Sequence, residues 1–231
     1  MLGSTRVDYV LIGGLAAVLY GSPLPTVLEV PLLLMETVLM ELAMDHLVSL
    51  AVGIGLAAAC GFRVFVPLLV MSAAAYTGHL ELSSGFHWIG TLPALVAFAS
   101  ATVLEIAAYY IPWVDNMLDT IAGPAAVVAG TVVTASALTD VDPFLKWSLA
   151  IIGGGGVAGI VSGATSVMRG ASTVTTGGLA NPIFSTIEAA VSFAVAALAV
   201  LVPLVALGVV FVAVYFLAKK LFGRRPRRQE V

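Results

Sequence analysis

The chain has 231 residues, 60% of them hydrophobic and 10% charged, with a mean hydropathy of +1.08. Soluble domains carry roughly 25% charged residues, so this composition excludes an ordinary water-soluble enzyme or binding domain and predicts an all-α integral membrane protein. The formal net charge is −3, yet six of the ten Lys and Arg residues fall between Lys219 and Arg228, a placement that predicts a cytoplasmic tail after a last span rather than nucleic-acid binding.

Residues 1–46 do not match the rest. The run from Val7 to Tyr20 is shorter than the roughly twenty apolar residues a span needs, and it lacks the pattern of a signal peptide. This stretch is expected to be an extension or fusion remnant, with Met40 or Met44 as natural starts. Val27–Asp45 is expected to form a peripheral helix.

The first span is predicted over about His46–Tyr76, interrupted near Gly61–Pro67. Gly53, Ala57 and Gly61 share one helix face, where a neighbouring helix can approach closely. Arg63 lies at membrane depth, and Pro67 removes a backbone donor just beyond it. A charge and a freed carbonyl there must face protein or water. Thr77–Gly90 reads as a polar loop with Trp88 at the interface. The second span covers about Thr91–Ile111 and contains Glu105. Tyr109 and Tyr110 read as an aromatic belt. Pro112–Asp119 reads as a connector, with Trp113 as a second interface anchor.

The third span is expected over Thr120–Leu138. Asp142-Pro143 has the pattern of an N-cap followed by a first-turn proline. The fourth span covers about Phe144–Met168 and repeats the small-residue spacing at Gly155, Gly159 and Gly163. Arg169–Ala180 reads as a loop rich in Gly, Ser and Thr. The fifth span, Ile183–Val202, carries Glu188, and Pro203 separates it from a sixth at Leu204–Ala218. One helix over Ile183–Ala218 would extend some 54 Å against a hydrocarbon core of about 30 Å, so two helices are expected. The predicted domains are therefore the extension 1–46, a transmembrane domain 47–218 and the basic tail 219–231.

Spans one and four share the small-residue ladder and an arginine. Spans two and five each carry one glutamate, and spans three and six each have an early proline. Three spans per half predict two inverted three-helix repeats with broken first helices. That arrangement marks many secondary transporters, whose sites lie near the midplane.

Two resemblances attach to particular motifs. The stretch Gly55–Pro67, LEIAAYYIPWVDNMLDTIAGPAAVVAG at 104–130 and NPIFSTIE at 181–188 resemble the membrane family known as domain of unknown function 4126. That resemblance covers about Leu47–Leu217 and implies a compact multi-span membrane domain and no activity. VDYVLIGGLAAVLYGSPLPT at 7–26 resembles the opening of a nucleotidyltransferase-fold domain. That family's two metal-binding carboxylates would fall on Leu28 and Val30, so no nucleotidyl transfer is assigned. Arg63-Val-Phe-Val-Pro67 is similar to a short piece of the DedA-type membrane family.

The candidate substrate or ion pathway is Arg63, Glu105, Arg169 and Glu188, because ionisable residues inside a membrane default to functional. Arg63 is expected to pair with Glu105, whereas Arg169 is placed nearer the cytoplasmic surface. A secondary cluster is Asp115, Asn116 and Asp119, with the two aspartates one helical turn apart. No catalytic residue, metal site or cofactor is expected, since no nucleophile triad, phosphate loop or zinc spacing occurs. The expected function is a small secondary transporter or permease for a small solute or ion, with Glu105 as the proton-coupling carboxylate. The alternative is a non-transport membrane factor in lipid handling or assembly, with a membrane-embedded enzyme third. Expected partners are the lipid bilayer and the transported solute or ion, with homo-oligomerisation left open. The expected location is the bacterial plasma membrane.

Overall fold

A computed structural model describes residues 29–177 and 181–222, with side chains except at 29–33, 112, 113, 115, 116, 119, 218 and 220–222. The nucleotidyltransferase-like stretch 7–26 and the end of the basic tail lie outside the described residues. The chain divides into two compact units, Met1–Asp45 and His46–Val231. Helix α1 runs Glu29–Cys60. In the part that belongs to the first unit, the described side chains from Leu34 to Asp45 are all exposed.

The second unit holds the rest of α1 and six further helices. They are α2 (Phe65–Tyr76), α3 (Leu92–Ala108), α4 (Pro112–Ala137), α5 (Pro143–Thr176), α6 (Asn181–Leu201) and α7 (Pro203–Phe222). A short 3₁₀ turn, His87–Gly90, precedes α3. No strand occurs among the described residues. Among the described residues, four segments are long and apolar enough to cross a membrane: Leu34–Cys60, Thr120–Ala137, Pro143–Thr176 and Asn181–Leu201.

The inner end of α1 forms the core. Ala51, Leu56, Ala57, Ala59 and Cys60 are fully or almost fully buried. Small residues let four neighbours reach it. Thr134 of α4 lies over Gly53, Ala199 of α6 and Ala206 of α7 lie over Gly55, and Val161 of α5 lies over Gly61. A methyl group on Gly61 would stand 2.5 Å from the Val161 Cβ and 2.8 Å from the Ala158 carbonyl, so the crossing admits only glycine. With lipid outside, such close backbone contact is what holds membrane helices together. Along α5 the ladder is only partly used. Gly155 meets Thr131 and Gly159 meets Val127, but Gly163 faces open space.

The break after α1 falls at 61–64, inside the interruption expected from sequence. Pro67 becomes the third residue of α2, where its missing N–H is one that a helix start leaves unbonded anyway. The corresponding helix of the second half is not broken. α5 is continuous and contains a π turn, Ala150–Gly155. No proline interrupts it, and its glycines let the wide turn pack directly on α4: a Cβ on Gly154 would stand 2.5 Å from the Gly130 carbonyl.

Two stretches expected to be loops are helical. Residues 112–119 form the first two turns of α4, started by Pro112. Residues 169–176 extend α5, and Thr173, Thr175 and Thr176 each return a hydroxyl bond to the carbonyl four residues earlier. α6 and α7 separate at Val202 into two helices, as expected. Asp142 caps α5 as expected, its carboxylate accepting from the amides of Phe144 at 2.9 Å and Leu145 at 3.4 Å.

Candidate functional site

A break between two helices leaves donors and acceptors that hydrocarbon cannot satisfy. Here side chains from α3 and α6 take them up. The Ala59 carbonyl, which already accepts from the amides of Phe62 and Arg63 at 3.1 Å, also accepts from the Ser192 hydroxyl at 2.9 Å. On the other side, the Glu105 carboxylate accepts from the amide of Val64 at 2.9 Å and of Phe65 at 3.1 Å. Glu105 therefore acts as the N-terminal anion of α2, where the helix dipole also favours negative charge.

This overturns the expected pairing of Glu105 with Arg63. Arg63 is 1% exposed, and its guanidinium turns towards α6. Nη2 donates to the Ser185 hydroxyl at 2.6 Å and the Ser185 carbonyl at 3.0 Å, and lies 3.4 Å from Oε2 of Glu188. The reason is local. Both oxygens of Glu105 are already held by the start of α2, and backbone connectivity fixes that contact more tightly than a long side chain can.

Glu188 holds a second arginine. Nε of Arg169 donates to both carboxylate oxygens, at 3.0 and 3.1 Å, and Nη2 of Arg169 also donates to Oε2. Arg169 is buried rather than superficial, because α5 continues through it instead of ending. Glu188, two turns into α6, is buried as well.

Tyr109 completes the cluster. The carbon at the centre of the Arg63 guanidinium stands 3.7 Å from its ring centroid, and that of Arg169 stands 4.3 Å away. One ring thus receives two cations, and at a desolvated site each such contact is worth on the order of 2 kcal/mol. Tyr109 is buried, so it does not belong to an aromatic belt; Tyr110 is the exposed one, hydrogen-bonded to Thr186 at 2.8 Å. Tyr109 and Ser185 were missed in the sequence. Their signal was weak: one tyrosine of an adjacent pair, and one hydroxyl a turn before a glutamate.

Beside the cluster lies a cavity of about 20 Å³, lined in part by Tyr109, Ser162, Thr165, Arg169 and Glu188. It has room for about one water molecule. The Nε and Nη1 donors of Arg63 have no hydrogen-bond partner among the described residues. Asp115, Asn116 and Asp119 lie on the first two turns of α4, and their side chains are outside the described set. Among the described residues no group of His, Cys, Asp and Glu has the geometry of a metal site.

The description of the family "Domain of unknown function (DUF4126)" matches residues 50–221. The chain belongs to this family. The match begins at Leu50 on α1 and ends within α7, so it contains every residue of the buried cluster. No curated protein and no solved structure matches the chain.

Proposed function

We propose that this family member is a small secondary transporter or permease for a small solute or ion, here in a closed arrangement. The observation that carries this reading is the meeting of Arg63, Tyr109, Arg169 and Glu188 beside a broken helix. Burying an Arg–Glu–Arg group is costly compared with apolar packing of the same volume, and in a membrane such groups mark substrate and ion pathways.

The two halves meet at this cluster. Arg63 and Tyr109 come from the first half, Arg169 and Glu188 from the second, and Arg63 reaches across to the glutamate of the other half. That cross-pairing suits two inverted three-helix repeats rocking about a central site. The basic tail supports a cytoplasmic C-terminus in the bacterial plasma membrane. Residues 1–46 are read as an extension outside the working domain.

A second reading has its own support. The charges are paired, and the adjoining cavity holds only about one water. A closed bundle of this kind suits a non-transport membrane factor. Flux measurements in proteoliposomes, across a panel of inorganic ions and small metabolites, separate the two. Transport predicts uptake of at least one solute above protein-free vesicles, lost in the folded double variant Arg63→Met with Glu188→Leu. No flux across the panel would favour the second reading.

A further inference from the structure

On the far side of Val64 from the polar cavity lies a groove of about 550 Å³. α2, the 3₁₀ turn, α3 and α4 form it. All the described residues that line it are apolar, among them Trp88, Phe98, Ile121 and Ala125. The groove opens to the surroundings rather than lying inside the core, so in a bilayer it would face hydrocarbon.

Its dimensions and depth indicate the occupant. Along α4 the lining runs from Ile121 to Val132, roughly 16 Å at the helical rise. That is about half of a hydrocarbon core some 30 Å thick, the depth of one leaflet. One end is marked by Trp88, beside the loop and in contact with the Phe98 ring at 6.1 Å between centroids; a tryptophan sits well at headgroup level. The other end is Val64, at the helix break. A polar solute would find no partner in this groove, whereas a lipid chain entering beside Trp88 would find apolar contacts down to mid-membrane.

We infer that this groove binds a single acyl chain of a membrane lipid, whose tip rests against Val64. The inference does not depend on transport. It places a lipid chain directly against the residue whose amide is held by Glu105, so the occupant stabilises the closed geometry of the break.

The test uses the full chain in phosphatidylcholine vesicles containing a small fraction of phosphatidylcholine with a diazirine midway along one chain. After irradiation, labelled positions are mapped by mass spectrometry. Labelling at the groove residues is expected to exceed that at Phe193, an exposed residue on α6, by at least fivefold. Ala125→Trp should cut groove labelling at least threefold and leave Phe193 unchanged. Ile121→Trp, at an exposed position on the rim, gives the same comparison if Ala125→Trp does not fold. Equal labelling at the groove and Phe193, or labelling indifferent to the fillers, would each overturn the inference.

Discussion

Glu188 and Arg63 approach to 3.4 Å although each belongs to a different half of the chain. Arg169 binds the same carboxylate. Removing that carboxylate therefore strands two buried cations together. Loss of one partner from a buried pair costs roughly 3–5 kcal/mol. Glu188→Gln is expected to fall at or above that range and to lower the thermal midpoint in detergent more than Glu105→Gln does. Equal midpoints for the two variants would show that the arginines do not depend on Glu188.

Glu105→Gln has a different signature. A glutamine keeps one acceptor oxygen, so one of the two amides at Val64 and Phe65 loses its bond, an effect of about 0.5–1.5 kcal/mol for donors that are not fully buried. The change is local to the start of α2. Hydrogen exchange of a peptide covering residues 61–68 should accelerate, with peptides from α5 unaffected. Unchanged exchange at 61–68 would remove the capping role.

Tyr109 separates ring from hydroxyl. Tyr109→Phe keeps the aromatic face under both guanidinium groups, whereas Tyr109→Leu keeps bulk without the face. With two contacts each worth on the order of 2 kcal/mol at a desolvated site, Tyr109→Leu should be the less stable variant by roughly 2–4 kcal/mol. Paired unfolding curves check the order, and the reverse order would mean that the aromatic face adds nothing to stability here.

The two ends of the small-residue ladders should behave oppositely. Gly61→Ala forces a methyl into Val161 and the Ala158 carbonyl and is expected to destabilise by about 1–3 kcal/mol, as overpacking does. Gly163→Ala meets open space and should gain up to about 1 kcal/mol from helix propensity. Expression and thermal midpoints of the two single variants suffice. A cost at Gly163 would reveal a partner on that face.

A chain beginning at Met40 tests the extension. If residues 1–39 lie outside the working domain, the shortened protein should insert and elute as a single species with an unchanged thermal midpoint. Aggregation on truncation would give the extension a structural part.

Much of this architecture was legible because hydropathy and proline placement report directly on helices. The break at 61–64, the cap at Asp142 and the division at Val202 follow from that. Helix ends were harder to see. Residues 169–176 read as a loop because Ser, Thr and Gly are poor helix formers by composition, yet their hydroxyls bond back to the helix's own carbonyls in place of water. Residues 112–119 are polar for a span, but polarity limits membrane depth and not helicity. Arg169 read as the start of a loop near the surface, whereas Arg63, Glu105 and Glu188 were visible as charges at depth. Which met which was not, since periodicity places a residue on a face and says nothing of the helix opposite. The pairing of Arg63 with Glu188 rather than Glu105 was settled by two backbone amides at Val64 and Phe65, groups with no trace in side-chain sequence.

The π turn at Ala150–Gly155 sets the phase of everything after it. Such a turn amounts to one residue inserted into an α-helix, and one residue advances the azimuth by about 100°. Arg169 lies beyond it on the same continuous helix. With the first turns of α5 held by Asp142 and by the contact of Lys146 with Ser83 at 2.8 Å, a regular helix of the same sequence would carry Arg169 roughly a quarter-turn past Tyr109 and Glu188. The glycine run thus works as a rotational offset. It lets one end of α5 satisfy the loop and the other satisfy the charge cluster, a match that no straight helix of this length would make.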